Sequence, residues 1–157
     1  MARLYGRSVR GERCFGAVPH GHWQTSTFIA ALRHDRIEAP FLIEGSANME
    51  VFAAYVGQVL CPELRGDDVV ILDNLCIHKT PAIARLVEAK GATVRYLPAY
   101  SPDLNPIEMA FAKLKSHLRH AAARTLHDLQ GAVATSLAQF EPDHCAGFFR
   151  HANYGTI

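Results

Sequence analysis

The sequence predicts an α/β fold, a mixed sheet flanked by helices, and three observations carry that expectation. From residue 48 onward, short β-branched runs alternate with segments whose apolar residues recur every three or four positions, the order that builds parallel sheets with crossover helices. Ahead of them, two short apolar runs flank a polar turn, the pattern of an antiparallel hairpin. The chain has 157 residues, 49% hydrophobic and 20% charged, which suits one compact core and excludes a disordered chain.

Each element follows from its residues. Thr25 to Leu32 and Ala39 to Ile43 are the hairpin strands, joined by His34-Asp35-Arg36. Asn48 to Leu60 places Val51, Phe52, Tyr55, Val56 and Val59 at helical spacing, and Pro62 ends that helix. After the turn Gly66-Asp67-Asp68, the run Val69-Val70-Ile71-Leu72 has no polar residue and predicts a strand buried on both faces. Thr80-Pro81 opens a helix with Ile83, Leu86 and Val87 on one side and Gly91 as its stop. Thr93 to Leu97 predicts a second buried strand, and a proline-rich loop leads from Pro98 to Pro106. A long helix follows with Ile107, Phe111, Leu114 and Leu118 inward, and a last helix is expected from Leu126 to Phe140.

Several function classes are excluded. No apolar run of roughly 18 residues is present, so no segment reads as a membrane span. Met1 is followed by Arg3, Arg7, Arg10 and Arg13 without an apolar stretch, which is not a secretory signal, and a cytoplasmic location is expected. Cys14, Cys61, Cys76 and Cys145 lack paired short spacings, so reduced thiols are expected rather than disulfides or a zinc knuckle.

Charge is nearly balanced overall but not along the chain. Residues 1–36 hold six arginines against Glu12 and Asp35, whereas residues 37–75 hold seven acids against Arg65 alone. Residues 109–127 contain no acid, with Lys113, Lys115, Arg119 and Arg124 accompanied by three histidines. A basic stretch after an acidic middle suits a polyanion lying beside a cation site. Charge blocks of this kind are also ordinary solvated faces.

Ligands in open α/β sheets bind beyond the carboxyl ends of strands, where Asp73 is expected. Glu108 follows with 34 residues between, just after the next strand has ended at the same side. Two converging carboxylates call for a hard divalent cation, Mg²⁺ or Mn²⁺, and such a pair suits displacement at phosphorus. At about 100° per residue, Lys115 and Arg119 return to within roughly 20° of Glu108, so a nucleic-acid backbone along that face would meet both. Asn74 and His78, beside Asp73, are further candidates for DNA contact. Each acid alone has a structural reading too. Asn105 with Glu108 has capping-box spacing, and Asp73-Asn74 suits a turn. His20 and His22 read as solvated or structural, and Trp23 as packing.

The segment from Val69 to Thr80, Val-Val-Ile-Leu-Asp-Asn-Leu-Cys-Ile-His-Lys-Thr, followed by Tyr96-Leu-Pro-Ala-Tyr-Ser-Pro-Asp-Leu-Asn-Pro-Ile-Glu108, resembles the mariner-type DDE transposases of bacterial insertion sequences. The similarity runs from Arg3 to Gly155. It implies a ribonuclease-H-like mixed sheet and Mg²⁺-dependent cutting and joining of transposon ends, with DNA and a homodimer or a full-length transposase as partners. By position, Asp73 matches the family's second catalytic aspartate and Glu108 its third acid.

The first aspartate of the family lies on a strand upstream of the segment matching Arg3 to Arg13, and only Met1 and Ala2 precede Arg3 here. Residues 1–157 therefore read as a catalytic domain truncated at its amino end, with the first strand of its sheet absent. Glu44, after Phe41-Leu-Ile, is the other acid that follows an apolar strand. A catalytically inactive remnant, binding DNA weakly or regulating a full-length transposase, is the alternative function. A hydrolase of small phosphate esters fits the loop poorly.

Overall fold

The computed structural model describes residues 5–16 and 25–155. His20, His22 and Trp23 lie outside the described residues. Strands β1 (Ser26–Leu32) and β2 (Ile37–Glu44) form the expected antiparallel hairpin, closed by the Arg33 N–H donating to the Arg36 carbonyl at 2.8 Å. Its register shifts between Ile29 and Ala31, opposite Ala39, which has φ +52°, and Pro40, which has no N–H to donate.

Helix α1 (Met49–Tyr55) begins where the Asn48 side chain accepts the Val51 N–H at 2.8 Å. It continues as a wider π turn over Val56–Leu60 and a tight 3₁₀ turn over Cys61–Glu63 that contains Pro62. Strands β3 (Val69–Leu72) and β4 (Thr93–Tyr96) pair in parallel, with α2 (Pro81–Glu88) as their crossover. Gly91 has φ +77°, and a Cβ there would lie 3.2 Å from the Gly66 Cα, so the chain returns to β4 only through a glycine. Helices α3 (Pro106–Ala121), α4 (Leu126–Leu137) and α5 (Pro142–His151) complete the described chain. The expected last helix thus stops at Leu137. A further one starts at Pro142, with a reciprocal cap between Glu141 and His144.

Apolar burial is divided between two clusters. Val56, Ile83 and Val87, each fully buried, centre the packing of α1 and α2 against the hairpin and β3. Leu114, Leu118, Val133 and Cys145 centre the packing of α3, α4 and α5, and Phe111 of α3 reaches the β1 ring of Phe28 at 6.0 Å. No helix of the described residues is long and apolar enough to cross a membrane.

The sheet departs from the expectation of buried strands. Among the described residues β1 pairs with β2 alone and β3 with β4 alone, giving two two-stranded sheets. Val69 is 56% exposed, the rest of β3 is half-buried, and β4 is mostly exposed. The apolar run of β3 is built for burial, but among the described residues no strand covers its second edge.

One ionic link ties the two sheets together. Arg33 donates to both oxygens of Asp68, at 2.9 and 2.6 Å, to Glu38, and to the Glu63 carbonyl at 3.0 Å. Hydrogen bonding from Arg33 holds the Asp68 carboxyl down at about 2. Burial would raise Glu38, but Arg33 and Arg36 outweigh it and leave its pKa lowered. Arg33→Met takes the guanidinium from Asp68, leaving it the Arg65 N–H, and leaves Glu38 with Arg36 alone, and should cost about 2–3 kcal/mol, read in a thermal melt. The folded pKa of Asp68 lies below its ordinary value of 3.8, so its stabilisation is full above about pH 4 and is lost as pH falls toward 2. Melts across that window should show the loss in the wild type and a flattened dependence in Arg33→Met.

Candidate active site

Two strand ends and one helix start build the site. β3 ends at Leu72, and the chain turns at once into Asp73, whose Oδ1 accepts the Leu75 N–H at 3.1 Å. That bond is the turn role expected of an aspartate here. The same Oδ1 lies 2.6 Å from Nδ1 of His78, which sits in a 3₁₀ turn over Cys76–His78. The His78 side chain is 15% exposed, and its ring lies 4.2 Å from that of Phe52 in α1. The Tyr96 hydroxyl, at the end of β4, donates to the His78 carbonyl at 3.1 Å. Both bonds to Asp73 fall on one oxygen, which leaves Oδ2 for another partner.

The loop after β4 carries the second acid. Tyr100 adopts φ +57° with its side chain fully exposed, and a 3₁₀ turn over Pro102–Leu104 leads into α3. The Tyr154 hydroxyl, whose pKa burial raises, holds this loop by donating to the Leu104 carbonyl at 3.0 Å. Pro106 opens α3, so Glu108 stands in its first turn. The capping-box reading of Glu108 is overturned, because Asn105 makes no side-chain cap bond. The Glu108 side chain is exposed and forms no ion pair among the described residues.

Asp73 and Glu108 line one cavity of about 460 Å³, together with Asn74, Lys79, Tyr100 and Ser101. They also line the near end of a second cavity of about 360 Å³, where His78 joins them. Asn74 keeps a buried, unpaired Oδ1. Lys115 and Arg119 lie farther along α3, both exposed like Glu108, in keeping with a shared face. Glu44 ends β2 exposed and lines neither cavity. Lys79 and Tyr100 escaped the sequence reading. The signal was their place in the two segments that carry the acids, but neither residue type is diagnostic in a loop.

The donors fit a hard cation: two carboxylates, one with a free oxygen and one unpaired, beside an amide oxygen. Among the described residues, no three of His, Cys, Asp and Glu are grouped so as to hold a metal. The site therefore supplies two acids, and a cation held by them would keep open positions for water and phosphate oxygens.

A family model described as DDE superfamily endonuclease matches residues 1–130. Among curated proteins, none matches the sequence. Of the solved structures, a pre-cleavage Mos1 transpososome superposes with a TM-score of 0.72 at 13% identity, covering 98% of this chain. The Mos1 mariner paired-end complex with Mn gives 0.68 at 16% identity over 98% of this chain and 47% of that one, and the Mos1 strand transfer complex gives 0.67 at 15%, over 98% and 46%. The chain thus spans about half the length of the solved chains it matches, 47% in the first case. At such identities the likeness concerns the fold, and it bears out the expected ribonuclease-H-like architecture.

Proposed function

The chain belongs to the DDE superfamily endonucleases, and from that premise we propose that it is the catalytic part of a DNA transposase. The reaction is phosphoryl transfer: hydrolysis of a phosphodiester at an insertion-sequence end, then attack of the freed 3′-hydroxyl on target DNA. The observation that carries this reading is the cavity of about 460 Å³ that Asp73, after β3, and Glu108, in α3, both line. Mg²⁺ or Mn²⁺ held by these carboxylates would activate the attacking oxygen and oppose charge on the scissile phosphate. The Mn complex of the similar Mos1 protein supports that choice of cation.

The chain's own residues do the positioning. The Leu75 N–H and His78 fix one oxygen of Asp73 and so aim the other. Glu108, exposed and unpaired, is free to meet a cation from the helix side. Lys115 and Arg119 take phosphates of the flanking backbone, while Asn74, His78 and Lys79 contact DNA nearer the cut. The DNA comprises transposon ends and target, and a second copy or a full-length transposase is the protein partner.

Metal binding tests the site. Mg²⁺ or Mn²⁺ at millimolar concentration should raise the melting temperature of the wild type, because a ligand selective for the native state stabilises it. Asp73→Asn combined with Glu108→Gln should lose that rise, and an equal response in both proteins would remove the shared site. DNA binding tests the face. It should be weak, indifferent to sequence and steeply salt-dependent, and Lys115→Ala and Arg119→Ala should each lower the salt slope by about one. Tight, salt-insensitive binding to one sequence would contradict the assignment.

A second reading is favoured by one observation, that only two acids share the cavity among the described residues. In that reading the chain is an inactive remnant that binds DNA or regulates a full-length transposase. Binding without metal-dependent nicking under any complementation would select it.

A further inference from the structure

We infer that Tyr100 is a stacking platform for one nucleobase: its ring takes the face of an unpaired base next to the phosphate that Asp73 and Glu108 act on, and so holds that phosphate over the two acids. This inference rests on the nuclease reading and adds to it a residue that positions the substrate.

The backbone supplies the first observation. Tyr100 has φ +57°, a left-handed conformation that a bulky side chain rarely adopts and that Gly or Asn takes with less strain. Such strain persists only where the surroundings hold it. Here the loop is held at both ends. The Leu97 N–H donates to the Leu72 carbonyl at 2.8 Å, which pins the start of the loop to the last residue of β3, next to Asp73. Beyond Tyr100, the Leu104 N–H donates to the Ser101 carbonyl at 3.2 Å and the Asn105 N–H to the Pro102 carbonyl at 3.0 Å, closing the turn that leads to Glu108. Pro98 and Pro102 stiffen the span between. The ring is thus carried on a mount fixed to both acid-bearing segments, and a ligand that meets it need not order the loop.

Exposure is the second observation. Tyr100 lines the cavity of about 460 Å³ with Asp73, Asn74, Lys79 and Glu108, yet its side chain is fully exposed, so the ring stands at the rim. Leu75, 53% exposed, is the other large exposed apolar side chain on that cavity among the described residues. Two apolar groups set among carboxylates, an amide and an ammonium make a poor seat for another protein, because the core of a protein interface excludes charge. They suit a ligand that is flat and apolar in one part and anionic in the next. A nucleotide is built that way, with a base for the ring and a phosphate for a cation held by the acids. Bases inside a duplex offer only their edges, so the face that Tyr100 takes belongs to a base out of the stack, at a strand end or flipped from it. Every base has such a face, so the platform positions DNA without choosing a sequence.

The test compares binding of the full chain, with Mg²⁺ present, to an oligothymidylate and to an abasic oligonucleotide of the same length, which keeps the phosphates and lacks the bases. The wild type should bind the oligothymidylate about tenfold more tightly, as one base stacked on an aromatic ring provides. Tyr100→Asn removes the ring and tolerates the positive φ, so it should bind the two alike and melt no lower than the wild type. Tyr100→Phe should restore the preference. An iodouracil-substituted oligonucleotide, irradiated on the wild type, should crosslink at Tyr100. Salt-dependent binding with no preference for bases would overturn the platform and leave the nuclease reading standing, as would a preference that Tyr100→Asn keeps or that Tyr100→Phe also loses. No binding to either oligonucleotide would overturn both readings together. A wild-type dimer that Tyr100→Asn dissolves, with no preference for bases, would give the ring to a second copy and also overturn the inference.

Discussion

The 157-residue chain alone should nick transposon-end DNA no faster than background, and the same chain extended at its amino end by an apolar strand ending in Asp should nick it with Mg²⁺ roughly a thousandfold faster. The size follows from what a third carboxylate supplies. Fixing a cation against the scissile phosphate is worth several kcal/mol of transition-state stabilisation, and about 1.4 kcal/mol is one factor of ten. The geometry says where the added acid arrives. A strand laid in the cavity of about 360 Å³, parallel to β3, ends beside Asp73 and Glu108, which line its near end. In the extended chain, Glu108→Gln should return nicking to background while leaving the melting temperature almost unchanged, because the Glu108 side chain is exposed and pairs with nothing among the described residues. A higher melting temperature without nicking would overturn the nuclease assignment. Nicking by the unextended chain would mean that another acid, Glu44 first among them, completes the site.

Much of this site was legible because its residues are local to strong signals. Asp73 follows a four-residue apolar run, and Glu108 stands three residues beyond Asn105, within the first turn that Pro106 opens, so sequence fixes both places. The hairpin was equally plain, since His34-Asp35-Arg36 interrupts two β-branched runs. What was not legible depends on distant neighbours. Val69 to Leu72 reads as a doubly buried strand, yet among the described residues no strand pairs with its second edge, and Val69 is exposed. The α5 helix was missed because its apolar stripe is thin and its start rests on a cap between Glu141 and His144, an unusual pair for that role. The bond between His78 and Asp73 was likewise hidden, because it needs the tight turn over Cys76–His78 and the ring of Phe52 behind it.

That last contact joins the core to the proposed site, and Phe52→Ala should show it. Phe52 is buried, touches Tyr55 at a ring separation of 6.0 Å, and backs the His78 ring at 4.2 Å. Truncating it removes apolar contact and leaves a void beside a cavity already open to solvent, at a cost of about 3–5 kcal/mol. For a chain of this length that is a fall of about 10 °C in melting temperature. Ile83→Ala, fully buried in the same cluster but lining neither cavity, should cost about 2–5 kcal/mol and so fall by a comparable amount. The two variants part in their response to metal. Without Phe52 the His78 ring loses its backing, Asp73 Oδ1 loses a fixed partner, and the carboxylate samples more rotamers before it can meet a cation. Phe52→Ala should therefore lose most of the Mn²⁺-induced rise in melting temperature, whereas Ile83→Ala should keep the full rise from its lower baseline. An equal rise in both would mean that the contact between Phe52 and His78 only packs the core and does not position Asp73.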